Sequence, residues 1–301
     1  MNLIQKYVWL IDTIRRHGRL SFRELSEIYR DDKDMSDDKG LSRATFNRWR
    51  DEVLFTFGIE IACDRSDDNR YFINNPDEIE RDGLRKWMLD SFAVGNLISE
   101  NFRLKRRILV DNILSGREYL TPILSAMEQN SVVEIEYRAY TSAAAKRRKV
   151  EPYCVKLFEN RWYLIGRSAE RDRIRIYGLD RMMSVKVLDE RFELPADFDA
   201  ESYFDNYYGI YHPDAKPERI VIRAYDEHGD YLRSLPLHHS QRQLKETDEY
   251  IEFDYYLVPT DDFVMRLMSF GALVEVLQPA SLRNELFRRH QEVIDFYYGE
   301  K

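Results

Sequence analysis

Between residues 161 and 181 the chain reads RWYLIGRSAERDRIRIYGLDR, with basic and aromatic side chains at nearly every second position. Alternation at a period of two is the pattern of a strand, whose successive side chains point to opposite faces. Arg171, Arg173, Arg175 and Tyr177 then share one face, and Ile174 and Ile176 the other. Guanidiniums interleaved with phenol rings suit a single-stranded nucleic acid or a nucleotide, because rings stack on bases and arginines hold phosphates. The same pattern also describes a charged edge hairpin whose arginines pair with nearby acids such as Glu170 and Asp172. Spacing alone does not separate the two. Upstream, Trp162 and Leu164 alternate with Tyr163, which assigns the first two to a core and presents the tyrosine.

A second set of such side chains lies in LSRATFNRWRDEVLFTFGI, residues 41–59. The pattern predicts a helix with Ser42 as N-cap and Gly58 as stop. Arg43, Thr45, Asn47 and Arg48 near its start are the types that read base edges in a major groove. Arginine binds guanine bidentately, asparagine binds adenine, and a threonine methyl meets that of thymine. Ala44, Phe46, Trp49 and Val53 are expected to form the buried side. An ordinary surface helix with a few arginines is the competing reading.

Other chemistries find little support. There is no G-x-S-x-G, no P-loop, no G-x-G-x-x-G and no His-Glu-x-x-His. The six histidines are scattered, and His238 and His239, being adjacent, would point to opposite faces of a strand. The two cysteines, Cys63 and Cys154, lack C-x-x-C spacing. In the acidic stretch 31–40, Asp32, Asp34 and Ser36 alternate as in a calcium loop, but Asp37 and Arg43 stand where that loop needs glycine and glutamate. No catalytic residue, metal or cofactor is therefore expected. The run Lys146–Lys149 reads as a solvated strand end.

The elements that must position these residues follow from length and pattern. A chain of 301 residues predicts two or three domains. A net charge of −8 excludes a uniformly basic coat but leaves room for a local basic patch. No apolar run approaches the roughly 18 residues of a membrane span, so a cytoplasmic protein is expected. Residues 1–76 predict three helices and a hairpin, the plan of a winged helix-turn-helix, with a capping box at Ser21 and Glu24. Residues 77–130 read as a helical connector, 131–195 as a small barrel of about five strands, and 196–217 as a linker with embedded aromatics. Residues 218–301 follow the β-α-β-β-α-β order of a ferredoxin-like domain. The expected fold class is multidomain α+β.

The trio Trp162-Tyr163-Leu164, downstream of RKVEP (148–152) and followed by RIYGLDRM (175–182), resembles the WYL-domain transcriptional regulators of bacteria. LSRATFNRWRDEV is similar to that family's recognition helix, and the segment from Glu218 onward to its C-terminal extension, WCX. The resemblance implies an Sm-like five-stranded barrel that senses a nucleic-acid or nucleotide ligand and controls the winged helix. It carries Arg148, Tyr163, Arg175, Tyr177 and Arg181 over as ligand-face residues, with Tyr137 from the first barrel strand. Homodimerisation is implied by the resemblance alone. Two departures are visible: Gly178 stands where relatives are often basic, and the acidic stretch lengthens the turn before the recognition helix. The expected function is a ligand-responsive regulator without enzymatic activity, bound to double-stranded DNA. The alternatives are a non-enzymatic nucleic-acid-binding accessory protein of defence or repair, and an interaction module whose winged helix binds protein.

Overall fold

In the computed structural model, which describes residues 3–32, 40–81, 83–100, 106–109 and 116–299, the chain divides into two units, Met1–Asp111 and Asn112–Lys301. Both mix helices and sheet, as expected for a multidomain α+β protein. Among the described residues no helix is long and apolar enough to cross a membrane.

The first unit holds helices α1 (Leu3–His17), α2 (Phe22–Asp31) and α3 (Arg43–Phe57), strands β1 (Ile61–Asp64) and β2 (Arg70–Ile73), and helices α4 (Pro76–Arg81) and α5 (Gly83–Glu100). Its local signals act as the sequence implies. At the start of α2, Ser21 and Glu24 satisfy each other's backbone N–H groups reciprocally. Ser42 caps α3, and Gly58 ends it at φ 61°, a left-handed conformation that glycine adopts without steric penalty. Phe46, Trp49, Val53 and Phe57 are the buried side of α3, in a core with Tyr7, Leu10, Leu25 and Tyr71. Ala44 is exposed, contrary to expectation. It lies two residues, about 200° around the helix, from Phe46 and so faces away from the core. The acidic segment 33–39 lies outside the described residues.

The second unit begins with a 3-10 turn, Arg117–Tyr119, and helix α6 (Leu120–Glu128), whose Ile123 and Ala126 are fully buried. Five antiparallel strands follow: β3 (Ser131–Tyr137), β4 (Lys146–Phe158), β5 (Arg161–Ser168), β6 (Arg173–Gly178) and β7 (Met182–Arg191). Their order is β6-β5-β4-β3-β7, so β6 and β7, consecutive in sequence, stand at opposite edges. Only the 3-10 turn Leu179–Arg181 joins them. Four strand spacings across a flat sheet would be about 19 Å. The linking residues can reach about 14 Å even when extended. The sheet is therefore rolled, and a register shift at Pro152/Cys154 lets the long strand β4 bend between its pairing with β3 and with β5. The inner face packs on α6 through Val133, Ile135, Val150, Leu164, Tyr177 and Leu179.

The segment read as a connector is divided: α4 and α5 fall within the first unit, and α6 underlies the rolled sheet. The segment read as a linker is packed. It forms the short helix α7 (Ala200–Phe204), and Phe198, Tyr203, Phe204, Tyr207 and Ile210 cover the outer face of the sheet. Lys156 of β4 fastens this cover, its ammonium donating to the Gly209 carbonyl at 2.8 Å and lying 3.8 Å from the centre of the Phe204 ring. Burial lowers the pKa of that amine to about 8.

The chain closes with β8 (Glu218–Tyr225), α8 (His228–Ser234), β9 (Arg242–Glu246), β10 (Tyr250–Leu257), α9 (Asp261–Met268), β11 (Val274–Gln278) and α10 (Ala280–Tyr298). The expected β-α-β-β-α-β order is present, in a sheet ordered β11-β8-β10-β9. Polar contacts tie the cover to it, among them the Val258 N–H on the Asn206 carbonyl. The Asp262 carboxylate accepts from the Ile210 and Tyr211 N–H groups, and His239 meets Asp205 at 3.0 Å. His238 and His239 lie in a loop, not a strand, and their rings are 4.1 Å apart instead of on opposite faces.

His238 is buried, and its Nδ1 accepts from the Ser240 N–H. Burial, aided by the neighbouring His239, lowers its pKa to about 4. Between pH 6.5 and 4 the unfolded chain thus binds a proton that the folded chain refuses, so stability falls as pH falls through that window. Denaturant titrations across pH should show wild type losing stability more steeply there than His238→Asn, which keeps an acceptor and cannot titrate. The difference in slope should be up to about 1.4 kcal/mol per pH unit.

Candidate functional site

Helix α3 presents Arg43, Asn47 and Arg48 to solvent, opposite the buried Phe46 and Trp49. Arg48 and Asn47 are exposed and have no side-chain partner among the described residues, whereas Arg43 donates to the Tyr71 hydroxyl at 3.3 Å and stacks 4.3 Å from the centre of the Phe22 ring. Thr45 is half-buried and engaged in the helix cap, its hydroxyl meeting Ser42 Oγ at 2.8 Å. Of the four residues expected to read bases, Asn47 and Arg48 are thus the free pair, and Arg43 and Thr45 brace the helix start. The β1–β2 hairpin follows directly and carries Asp64 and Asp67 near its tip, both within reach of Arg19. Hydrogen bonds from Ser66 and from Arg19 lower the Asp64 pKa to about 2, so its charge is fixed.

On the rolled sheet, strand pairing decides which residues share a face, because directly paired side chains point the same way. Arg148 pairs with Ile135, Arg175 with Gly166, and Tyr177 with Leu164. Tyr137, Arg148, Arg175 and Tyr177 therefore lie on the face that carries the inner core. Tyr163 does not. It belongs to the opposite face, where it is buried with Cys154, Ile165 and Phe204. The expectation that it is presented is corrected: β5 is covered on both sides, and alternation sends Trp162 and Leu164 to one core and Tyr163 to the other. Tyr177 is also mostly buried, as is half of Tyr137, and burial raises the pKa of both Tyr137 and Tyr163.

The arginine row is left without its expected acids. Glu170 pairs with Arg148, and Asp172 pairs with Arg167, which also holds Glu151. Among the described residues neither Arg171, Arg173 nor Arg175 has a carboxylate partner. Partial burial, and then the adjacent Arg173 and Arg171, lower the pKa of Arg175, which nonetheless stays charged at any physiological pH.

A tighter cluster forms where β3 ends, β5 begins and the 3-10 turn lies. Tyr137 and Tyr177 meet edge to face at 5.2 Å. The Arg181 guanidinium stands 5.6 Å from the Tyr137 ring centre and 4.9 Å from that of Tyr140. Asp180 Oδ2 accepts from Arg161 at 3.1 Å and from the Tyr140 hydroxyl at 3.0 Å. Gly178 makes the crowding feasible, since a Cβ there would fall 2.5 Å from both Arg181 Nη2 and Asp180 Oδ1. The structure thus gathers Tyr137, Tyr177 and Arg181, while Arg148, paired with Glu170, and Arg175 sit on the same face outside the cluster. Tyr140, Arg161 and Asp180 are not among the expected site residues, although Asp180 lies within RIYGLDRM. Their only local signal is the acid of YGLDR, flanked by cations.

Residues 118–187 match the WYL domain and residues 216–294 the WCX domain. Protein PafB of Mycobacterium tuberculosis is 27% identical over 184 residues, 60% of this chain and 54% of the relative. Protein PafB of Mycobacterium leprae is 29% identical over 75 residues, 25% of this chain and 23% of the relative. The chain thus spans about half the length of the tuberculosis relative. Among solved structures, proteasome accessory factor B/C (PafBC) of Arthrobacter aurescens has 22% identity and a TM-score of 0.30, over 84% of this chain and 40% of that one. A CRISPR Cas-related protein has 15% identity and a TM-score of 0.38, over 60% of this chain and 52% of that one.

A methyl group at residue 178 should push Arg181 off its two rings. Gly178→Ala is expected to destabilise the second unit by about 1–3 kcal/mol in denaturant titrations, the range for overpacking a closed site. An unchanged midpoint would place Arg181 elsewhere in solution.

Proposed function

We propose that this chain, which carries a WYL domain followed by a WCX domain, is a ligand-responsive transcriptional regulator without enzymatic activity. In this reading the first unit is a winged helix-turn-helix. Helix α3 enters the major groove of double-stranded DNA, with Asn47 and Arg48 on base edges and the β1–β2 hairpin as the wing. The observation that carries it is the free pair on α3, held clear of the core by Phe46 and Trp49 and followed at once by a hairpin. Arg43 and Thr45 serve by fixing the helix start.

The rolled sheet is read as an Sm-like barrel that binds a single-stranded nucleic acid or a nucleotide. Arg173 and Arg175, without acidic partners among the described residues, supply charge for phosphates, and Arg148 is partly neutralised by Glu170. Tyr137, Tyr177 and Arg181 form a braced corner beside them. The closing domain is read as ferredoxin-like and as an aid to a cytoplasmic homodimer, on the strength of the resemblance. Ligand control further requires that the ligand bind two conformations with different affinity.

Duplex binding tests the first half. With promoter-region fragments at low salt, wild type should bind with a steep salt dependence, and Arg48→Ala should bind about 5- to 100-fold more weakly, the range for losing one good base contact. If no fragment is retained, the regulator reading fails and an accessory protein of defence or repair takes its place. The second half is tested on the barrel: Arg175→Ala should weaken binding of a short single-stranded oligonucleotide with the melting temperature unchanged. Equal affinity would return Arg175 to a solvated surface role.

A further inference from the structure

Asp180 is the acid that the barrel corner encloses. Its side chain is only 9% exposed. Oδ2 is saturated by Arg161 and Tyr140, but Oδ1 has no hydrogen-bond partner and is shielded from solvent. The nearest cation to Oδ1 is Arg181 Nε at 3.7 Å, and that nitrogen is likewise buried without a hydrogen bond. A carboxylate this deep is normally saturated, and 3.7 Å is beyond hydrogen-bond reach. Two guanidiniums, one from the start of β5 and one from the 3-10 turn, thus share a single carboxylate and leave one of its oxygens unclosed. A pocket of about 390 Å³ opens over this group, lined by Arg138, Tyr140, Ser142, Asp180 and Arg181 among others.

From this geometry we infer that Arg161 and Arg181 form a phosphate-binding cradle whose resident anion is Asp180. The carboxylate occupies the place that a phosphate group of the barrel's ligand takes, and it sets the affinity by how readily it gives way. Carboxylate and phosphate are rivals for the same planar fork of guanidinium N–H groups. Exchanging one for the other keeps both cations paired throughout. Gly178, lacking a side chain, lets Arg181 and Asp180 pack directly against the backbone, where a Cβ would fall 2.5 Å from both. Tyr140, its ring largely exposed, stands at the rim where a base can stack. Arg138, lining the same pocket, adds a third cation for a neighbouring phosphate.

The inference rests on the reading of the barrel as a binder of single-stranded nucleic acid or nucleotide, and the experiment separates the two. The probe is a short labelled oligothymidylate, titrated with the whole chain and followed by fluorescence anisotropy. Asp180→Asn keeps the shape and an acceptor for Arg161 and Tyr140 but removes the rival charge. It should tighten binding about tenfold, the scale of one charge-assisted contact. Combining it with Arg161→Gln should abolish the gain, and Arg161→Gln alone should weaken binding about tenfold. Wild-type binding that Asp180→Asn leaves unchanged or weakens overturns the cradle and spares the barrel reading. Binding by neither protein overturns both. Should Asp180→Asn fail to fold, Arg161→Gln decides: undiminished affinity overturns the cradle, and loss supports it.

Discussion

Three residues must join strands that stand at opposite edges of a five-stranded sheet. That connection cannot span a flat sheet, so the sheet rolls, and much else follows from the rolling. The two edges are drawn to one corner, where the end of β3, the start of β5 and the 3-10 turn converge. Leu179 in the turn is fully buried and anchors it in the inner core beside Ile123 of α6. With Leu179 pointing inward, Asp180 and Arg181 are held at the corner with Tyr137, Tyr140 and Arg161. Gly178 is the last residue before the turn, and only the missing side chain lets the acid and the guanidinium pack so close to the backbone.

Charge around the rolled sheet is sorted rather than simply abundant. The acids that neighbour the arginine row in sequence, Glu170 and Asp172, are drawn to Arg148 and Arg167. Exposed pairs of this kind contribute little to stability, with a median near 0–1 kcal/mol. Their larger effect is on which cations remain available. Among the described residues Arg173 and Arg175 have no carboxylate partner, which makes them a local positive feature on a protein whose net charge is −8. The outer face of the same sheet takes no part in this. It is sealed by aromatic side chains from the segment before β8, fastened by the buried ammonium of Lys156.

The first unit divides its arginines in a similar way. Arg43 and Arg50 brace α3 through the Phe22 ring of α2, the Tyr71 hydroxyl of β2 and the Ile61 carbonyl of β1, and Arg19, before α2, is spent on the hairpin acids. Arg48 and Asn47 are left over on the exposed arc of α3. A helix that uses its first arginine as a brace and keeps a later one exposed presents a narrow polar edge, not a diffuse basic surface.

Much of this was legible in the residues themselves, wherever the cause is local. Caps at Ser21 and Ser42, the stop at Gly58, the hairpin after α3 and the β-α-β-β-α-β order all depend on neighbours within a few positions, and all are present. The alternation of 161–177 correctly separated Ile174 and Ile176 from Arg175 and Tyr177. Alternation says which residues share a face, but not whether the other face meets water. Alternation alone leaves Tyr163 in the open, as on a half-buried strand, and the packed segment 196–217, far along the chain, covers it instead. The same holds for Ala44, whose exposure depends on which arc of α3 meets the core, and for Asp180, an unremarkable acid until rolling sets it between Arg161 and Arg181. Sequence by itself determined the elements and the parity of their faces, because both are set by backbone geometry over a few residues. Tertiary structure alone decided which faces are covered and which charges are paired, because those depend on contacts between residues distant along the chain.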